Sequence, residues 1–212
     1  MTIEDIIIKR GIKEILHFTT NLGFVGILDS ECVKPRKILP DNRRLEHILK
    51  LNCPDRSRDL DWHNYVNLSI TCVNKYIFGI SKKKWHKNDI GWWCILSFRP
   101  EILTHSGVVF CTTNNAYSNV VKRGYDNSGL EALFANQIVE YESGTVARRL
   151  SSTPSNQPTS KQAEVLYPGE LSLDYLQKIY VNESDNASAV EGQWAVCSEA
   201  KSVECIVKPE LF

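Results

Sequence analysis

Gln162-Ala-Glu-Val-Leu-Tyr167 constrains this chain most, because it sets one carboxylate inside a run that otherwise reads as a strand buried on both faces. Ala163, Val165 and Leu166 supply the apolar faces and Glu164 interrupts them. A carboxylate taken out of water is costly unless it is paired or put to use. Glu164 is therefore either an edge residue pointing at solvent or an acid kept for chemistry. The preceding segment, Ser151-Ser-Thr-Pro-Ser-Asn-Gln-Pro-Thr-Ser160, is rich in turn formers and predicts a long ordered loop that feeds the chain into this strand. A functional loop followed by a strand with an embedded acid is a common way to build a site.

The 212 residues fit one domain with a sizeable core, spanning 1–212. With 42% hydrophobic and 24% charged residues, composition indicates neither disorder nor a fibrous architecture. No apolar run approaches the length of a membrane span. The start, Met1-Thr-Ile-Glu-Asp5, is acidic and lacks the pattern of a signal peptide, so a cytoplasmic protein is expected. Seven cysteines stand at long spacings with no Cys-x-x-Cys, which argues against both a zinc site and a disulfide framework, and no metal is expected. Cys72, Cys94 and Cys111 lie in apolar runs and read as small buried hydrophobes. The 25 basic and 25 acidic residues cancel, so any contact with a polyanion needs a local patch. Lys82-Lys-Lys-Trp-His-Lys87 offers one, although an isolated charge run is more often a solvated loop.

Along the chain, residues 3–12 predict a short helix closed by Gly11. Ile15–Leu28 predicts a strand with His17 and Thr19 on one face that runs into a helix after Asn21. A further helix is expected over about 42–51. The alternating Asp55-Arg-Ser-Arg-Asp-Leu-Asp61 that follows reads first as surface ion pairing. Tyr65–Val73 is a strand with Asn67, Ser69 and Thr71 on its polar face. Strands are expected again at Trp92–Phe98 and Val108–Thr112. Thr113-Asn-Asn-Ala-Tyr-Ser118 then supplies amides and hydroxyls and little packing. The spacing of Leu130, Leu133, Phe134 and Ile138 predicts a helix over 128–140. Ser172 caps a short helix, and the strand Ile179–Val181, a helix over 185–200 and a last strand, Glu204–Lys208, complete an α+β fold of six to eight short strands, more antiparallel than wound.

Three separated pieces carry chemistry: His17 with Thr19, Arg56 with Arg58, and Glu164. A carboxylate suits cleavage of an N-glycosidic bond, because it stabilises the oxocarbenium-like sugar as that bond breaks. Arginine suits a pyrophosphate, and His and Thr suit a ribose or a carboxamide. There is no Gly-x-Gly-x-x-Gly, so hydride transfer on a dinucleotide fold is disfavoured.

At this point the chain resembles a known family. His17-Phe-Thr19 with Gly26-Ile-Leu28, Tyr65-Val-Asn-Leu-Ser-Ile70, Phe110-Cys-Thr-Thr-Asn-Asn-Ala116 and above all Pro158-Thr-Ser-Lys-Gln-Ala-Glu-Val-Leu166 look like the DarT toxins, in the family's order and over roughly residues 15–181. The resemblance implies an ADP-ribosyltransferase-like fold with a mixed, largely antiparallel split sheet. It also implies NAD as ADP-ribose donor, a base of single-stranded DNA as acceptor, a macrodomain-type antitoxin as partner, a role in phage defence and a monomeric enzyme. Carried over by position, Glu164 is the catalytic glutamate, and Arg58, ahead of Arg56, is the second catalytic residue. His17 and Thr19 hold the NAD, with Asn21, Gly26, Leu28 and Ser69 completing its site. The loop over about 143–163, with Arg148 and Arg149, recognises the substrate. Lys82, Lys83, Lys84 and Trp85 supply further phosphate contacts and stacking.

Thr71-Cys-Val-Asn-Lys75 stands where the thymidine-modifying branch carries Pro-Arg-Ser-Pro. That departure moves the chain toward the guanine-modifying branch or a divergent relative, and it leaves DNA, messenger RNA and protein open as acceptors. A catalytically inactive nucleotide- or partner-binding module would lack Glu164 or His17-x-Thr19. Both are present.

Overall fold

The structure, a computed structural model, describes residues 1–35, 37, 61–85, 91–197 and 202–212, without the side chain of Trp85. Thr2 opens α1 (Ile3–Arg10) with a capping box, its hydroxyl accepting from the Asp5 amide while Asp5 reaches back to the Thr2 amide. Gly11, at φ 68°, closes the helix. β1 (Ile15–Thr20) passes directly into α2 (Asn21–Ser30), because the Thr20 hydroxyl accepts from the Gly23 amide and caps the helix where the strand ends. There follow β2 (Cys32–Val33), β3 (Tyr65–Ile70), α3 (Lys75–Ile80), β4 (Trp93–Phe98), β5 (Val109–Cys111), β6 (Arg123–Gly124) and α4 (Asn127–Ala132). The chain continues through β7 (Gln137–Val139), β8 (Val146–Arg148), β9 (Glu164–Pro168), β10 (Leu171–Ser172), β11 (Leu176–Val181), α5 (Ser184–Cys197) and β12 (Glu204–Val207).

Eight strands form one sheet in the order β12-β11-β4-β1-β3-β9-β5-β6. Among the described residues its one parallel pair is β11 with β12. The α+β class and the largely antiparallel split sheet expected from the sequence are what the chain forms. The split lies between β1 and β3. β1 pairs with β4 from Ile15↔Phe98 to Thr20↔Trp93, but with β3 only at Ile15↔Ile70 and Leu16↔Ser69. Beyond Leu16 the two strands part, and the residues that part them are His17 and Thr19.

Apolar side chains pack both faces of the sheet. On one, Ile15, Leu68, Leu96, Phe110, Val165 and Ile179 meet Ile6 of α1, Phe24 and Leu28 of α2, Leu130 of α4 and Trp194 of α5. On the other, Leu16, Ile95 and Tyr180 meet Phe78 of α3, and Val109, Cys111 and Leu166 form a third cluster beside Trp62 and Tyr65. Each fully buried large side chain contributes roughly 1.5–3 kcal/mol.

Three expectations change. The helix predicted over 128–140 ends at Ala132: Leu133 and Phe134 stay buried in the turn after it, and Ile138 belongs to β7 instead. Apolar spacing alone does not separate those outcomes. Thr71 is not part of the polar face of β3. It takes φ 64°, unusual for a β-branched residue, and turns the chain out of the strand, its hydroxyl donating to the Asn156 carbonyl at 2.9 Å. Cys72 is half-buried, whereas Cys94 and Cys111 are fully buried. The helix expected over 42–51 lies outside the described residues.

Gly124 and Gly129 let β6 and the start of α4 touch backbone to backbone. A Cβ on Gly129 would lie 2.7 Å from both the Gly124 Cα and its carbonyl carbon, with no flexible side chain able to yield. Gly129→Ala is expected to cost about 1–3 kcal/mol. Thermal unfolding should show this as a loss of about 5 °C in Tm.

Candidate active site

Glu164 opens β9, an interior strand between β3 and β5, and is 8% exposed. It is not an edge residue facing water. Its Oε2 accepts the backbone amide of Asn115 at 2.8 Å. That amide is held in place from behind: Arg123 Nε donates to Asn115 Oδ1 at 2.7 Å and Arg123 Nη2 to the Asn115 carbonyl at 2.9 Å. The guanidinium in turn lies 5.0 Å over the ring of Trp62. The loop that carries Asn115 is itself fixed, since the Thr112 hydroxyl accepts from the Lys122 amide and the Thr113 hydroxyl donates to the Glu140 carbonyl. The carboxylate therefore meets a rigid, positively polarised amide in a site largely closed to water.

Register carries this site to the split. Leu68 pairs with Val165, so Ser69 stands beside Glu164 in the adjoining strand, and Ser69 pairs with Leu16 next to His17. Two strand spacings, about 10 Å, separate the acid from β1. A dinucleotide spans that easily. His17 Nδ1 lies 3.1 Å from the Asn67 carbonyl of β3, where the sheet ladder would otherwise continue. A carbonyl only accepts, so Nδ1 carries the proton and Nε2 is left as an acceptor. The residue keeps one partly exposed edge, but its ring is walled in, and this burial lowers its pKa below the usual histidine value, with the bond to Asn67 acting in the opposite direction. Thr19 is 2% exposed, and a Cβ on Gly23 would meet its hydroxyl at 2.3 Å, so Gly23 makes room for it under α2. Asn21 begins α2 with a buried Oδ1 that has no hydrogen-bond partner.

The other expected site residues separate. Ser69 is buried between Glu164 and β1. Gly26 lies within α2 and gives its carbonyl to the Ser30 hydroxyl. Leu28 does not line a dinucleotide site: it is 0% exposed in the main core, because the apolar side of α2 that fits the sheet includes it. Arg149 is not available to phosphates. Its guanidinium donates to the carbonyls of Gln157, Pro154 and Ser155 and lies over Phe134, so it ties the loop before β9 together. Arg148 is exposed on β8, and Lys82–Lys84 are exposed on the helical turn that prolongs α3. Arg56 and Arg58 lie outside the described residues. Asn115 and Arg123 were not singled out by sequence. Asn115 sits in the polar segment after β5, a usable signal, whereas Arg123 carries none. Among the described residues, no group of three or more His, Cys, Asp or Glu could hold a metal, and no helix is long and apolar enough to cross a membrane.

The fold has close relatives among solved structures. The chain matches Thermus sp. 2.9 DarT in complex with carba-NAD+ at TM-score 0.66 and 14% identity, covering 94% of this chain and 97% of that one. It matches the same protein in complex with ADP-ribosylated ssDNA at TM-score 0.64 and 15% identity, over 95% and 97%. Thermosipho africanus DarTG in complex with ADP-ribose matches at TM-score 0.54 and 16% identity, over 94% of this chain and 51% of that one. No curated protein sequence matches the chain. A sequence model described as "ssDNA thymidine ADP-ribosyltransferase, DarT" matches residues 16–212. The chain belongs to the DarT family of ADP-ribosyltransferases acting on single-stranded DNA.

Proposed function

We propose that this chain takes NAD, breaks the bond between nicotinamide and ribose, and transfers ADP-ribose to thymine in single-stranded DNA, with Glu164 as the catalytic residue. The observation that carries this reading is the buried Glu164 carboxylate, fixed by the Asn115 amide one strand away from the split that His17 opens. As nicotinamide departs with the bonding electrons, positive charge grows on the ribose. A fixed carboxylate stabilises that charge without having to reorganise. His17 and Thr19 hold the dinucleotide at the split, His17 through its Nε2 acceptor.

Thymine in DNA has one ring N–H, at N3, because N1 carries the sugar. N3 forms the new bond to the ribose carbon, and its proton passes to Glu164. The base must be unpaired to present that nitrogen, and extruding it from a duplex costs a few kcal/mol, so a single strand is the favoured substrate. Thymine rests on the family's description and runs against the guanine preference drawn from Thr71-Cys-Val-Asn-Lys75. Free thiols at the described cysteines suit a reducing cytoplasm. There the enzyme is the toxin of a pair acting in phage defence, checked by a macrodomain-type antitoxin. It works as a monomer formed by one domain.

The test is mass spectrometry of nucleosides after incubation of the protein, NAD and single-stranded DNA or RNA of mixed sequence, with Glu164→Ala as control. ADP-ribosyl-thymidine in the wild-type DNA sample alone is expected. Modified guanosine would replace the acceptor base, modified RNA would replace the polymer, and no modified nucleoside would overturn the proposal.

A further inference from the structure

β9 is held unevenly where it begins. Its ladder with β3 stops at Leu68↔Val165, one residue short of Glu164, and its ladder with β5 stops at Cys111↔Glu164. The backbone that delivers Glu164 therefore passes from a single strand neighbour straight into a turn over 160–163, closed by the Ala163 amide donating to the Ser160 carbonyl at 3.2 Å. A carboxylate aimed at one reacting carbon needs that turn fixed as firmly as the strand.

Glu140, the residue after β7, fixes it. Its Oε1 accepts from the Ser160 hydroxyl at 2.9 Å and from the Lys161 amide at 3.0 Å. The Ser160 hydroxyl oxygen in turn accepts from the Gln162 amide at 3.1 Å, so three successive residues of the turn depend on this one carboxylate. Ser160 and Gln162 are buried, and their donors would lose a partner rather than exchange it for water. Among the described residues no cation pairs with Glu140, and its charge meets neutral donors. Hydrogen bonds to an ionised acceptor are the stronger kind.

The same residue holds the other half of the pair. Its carbonyl accepts from the Thr113 hydroxyl at 2.7 Å, and Thr113 lies in the segment that brings the Asn115 amide onto Glu164 Oε2. Its own amide donates to the Thr145 carbonyl at 2.8 Å, which seats it at the end of the β7–β8 hairpin. We infer that Glu140 is a positioning residue for the transfer: it acts through Glu164, by clamping the turn that leads into the acid to the segment that supplies the acid's amide partner. The inference rests on the transferase reading above.

Glu140→Ala removes both hydrogen bonds to the turn, and Ser160→Ala removes one of them and leaves the Gln162 amide without its acceptor. Glu140→Gln keeps an oxygen for both donors. The measurements are kcat and KM for NAD in transfer to a single-stranded oligonucleotide, with melting temperature as the fold control. Because a shift of about 1 Å in the acid is enough to slow the chemistry, kcat should fall about 10–100-fold in Glu140→Ala and in the same direction in Ser160→Ala. KM for NAD, which the split at His17 governs, should move less than about threefold. Glu140→Gln should return kcat to within about threefold of wild type, since geometry and not charge carries the effect. Folded alanine variants with wild-type kcat, or a loss carried by KM for NAD, would overturn the positioning role and leave the transferase intact. Glu140→Gln as slow as Glu140→Ala would overturn it too, by placing the charge in the chemistry itself. Should Glu140→Ala fail to fold, Ser160→Ala decides by the same criteria. A wild type that modifies no oligonucleotide would overturn both readings.

Discussion

Glu164→Gln is expected to lower kcat for ADP-ribose transfer by about 10³-fold while leaving the protein folded. The substitution keeps an oxygen for the Asn115 amide, so the hydrogen bond that positions residue 164 survives. What goes is the negative charge facing the ribose carbon, together with the base that takes the acceptor's proton. Interactions formed only as charge develops act on turnover, so KM for NAD should move little. Melting temperature serves as the control that the fold survives, since the bond to the Asn115 amide is kept. Labelled NAD followed into DNA gives the rate, and thermal melting reports the fold. A turnover within about tenfold of wild type would move the chemistry to another residue.

The part of this site legible in the sequence was the part in which side-chain type conflicts with its surroundings. Glu164 in an apolar strand is such a conflict, and so is a polar run at 113–118 where the chain could have packed. His17 and Thr19 were legible because period-two alternation places them together on one strand face. Arg123 could not be read this way. Its hold on Asn115 depends on the pairing of Cys111 with Arg123 across β5 and β6, a register no local pattern announces. Arg149 shows the reverse error. An arginine in a polar loop looks the same whether its donors meet phosphates or backbone carbonyls, and here they meet the carbonyls of Pro154, Ser155 and Gln157. Leu28 entered the expected site through the Gly26-Ile-Leu28 match to the family, which says nothing of where its side chain packs. The sheet, with its long β1–β4 ladder and abrupt parting from β3, makes it core.

Replacing His17 tests the other half of the site. His17→Ala removes the Nε2 acceptor and the bond to Asn67, and kcat/KM for NAD is expected to fall about 10–100-fold, mainly through KM. Acid separates this role from a merely structural one. Because burial holds the folded-state pKa of His17 below the unfolded value of 6.5, the unfolded chain binds the proton more readily. Stability from this residue is therefore full above pH 6.5 and is lost progressively as pH falls from there through the lower folded-state value. The imidazole that binds NAD must keep Nε2 unprotonated, so kcat/KM should stay level through pH 6.5 and fall only in stronger acid. His17→Gln keeps a hydrogen-bonding side chain with no titration, and the gap in melting temperature between wild type and this variant should shrink as the buffer is taken below pH 6.5. A gap constant with pH would mean that the ring is not sealed at the split, and a KM for NAD unchanged in His17→Ala would remove it from the dinucleotide site.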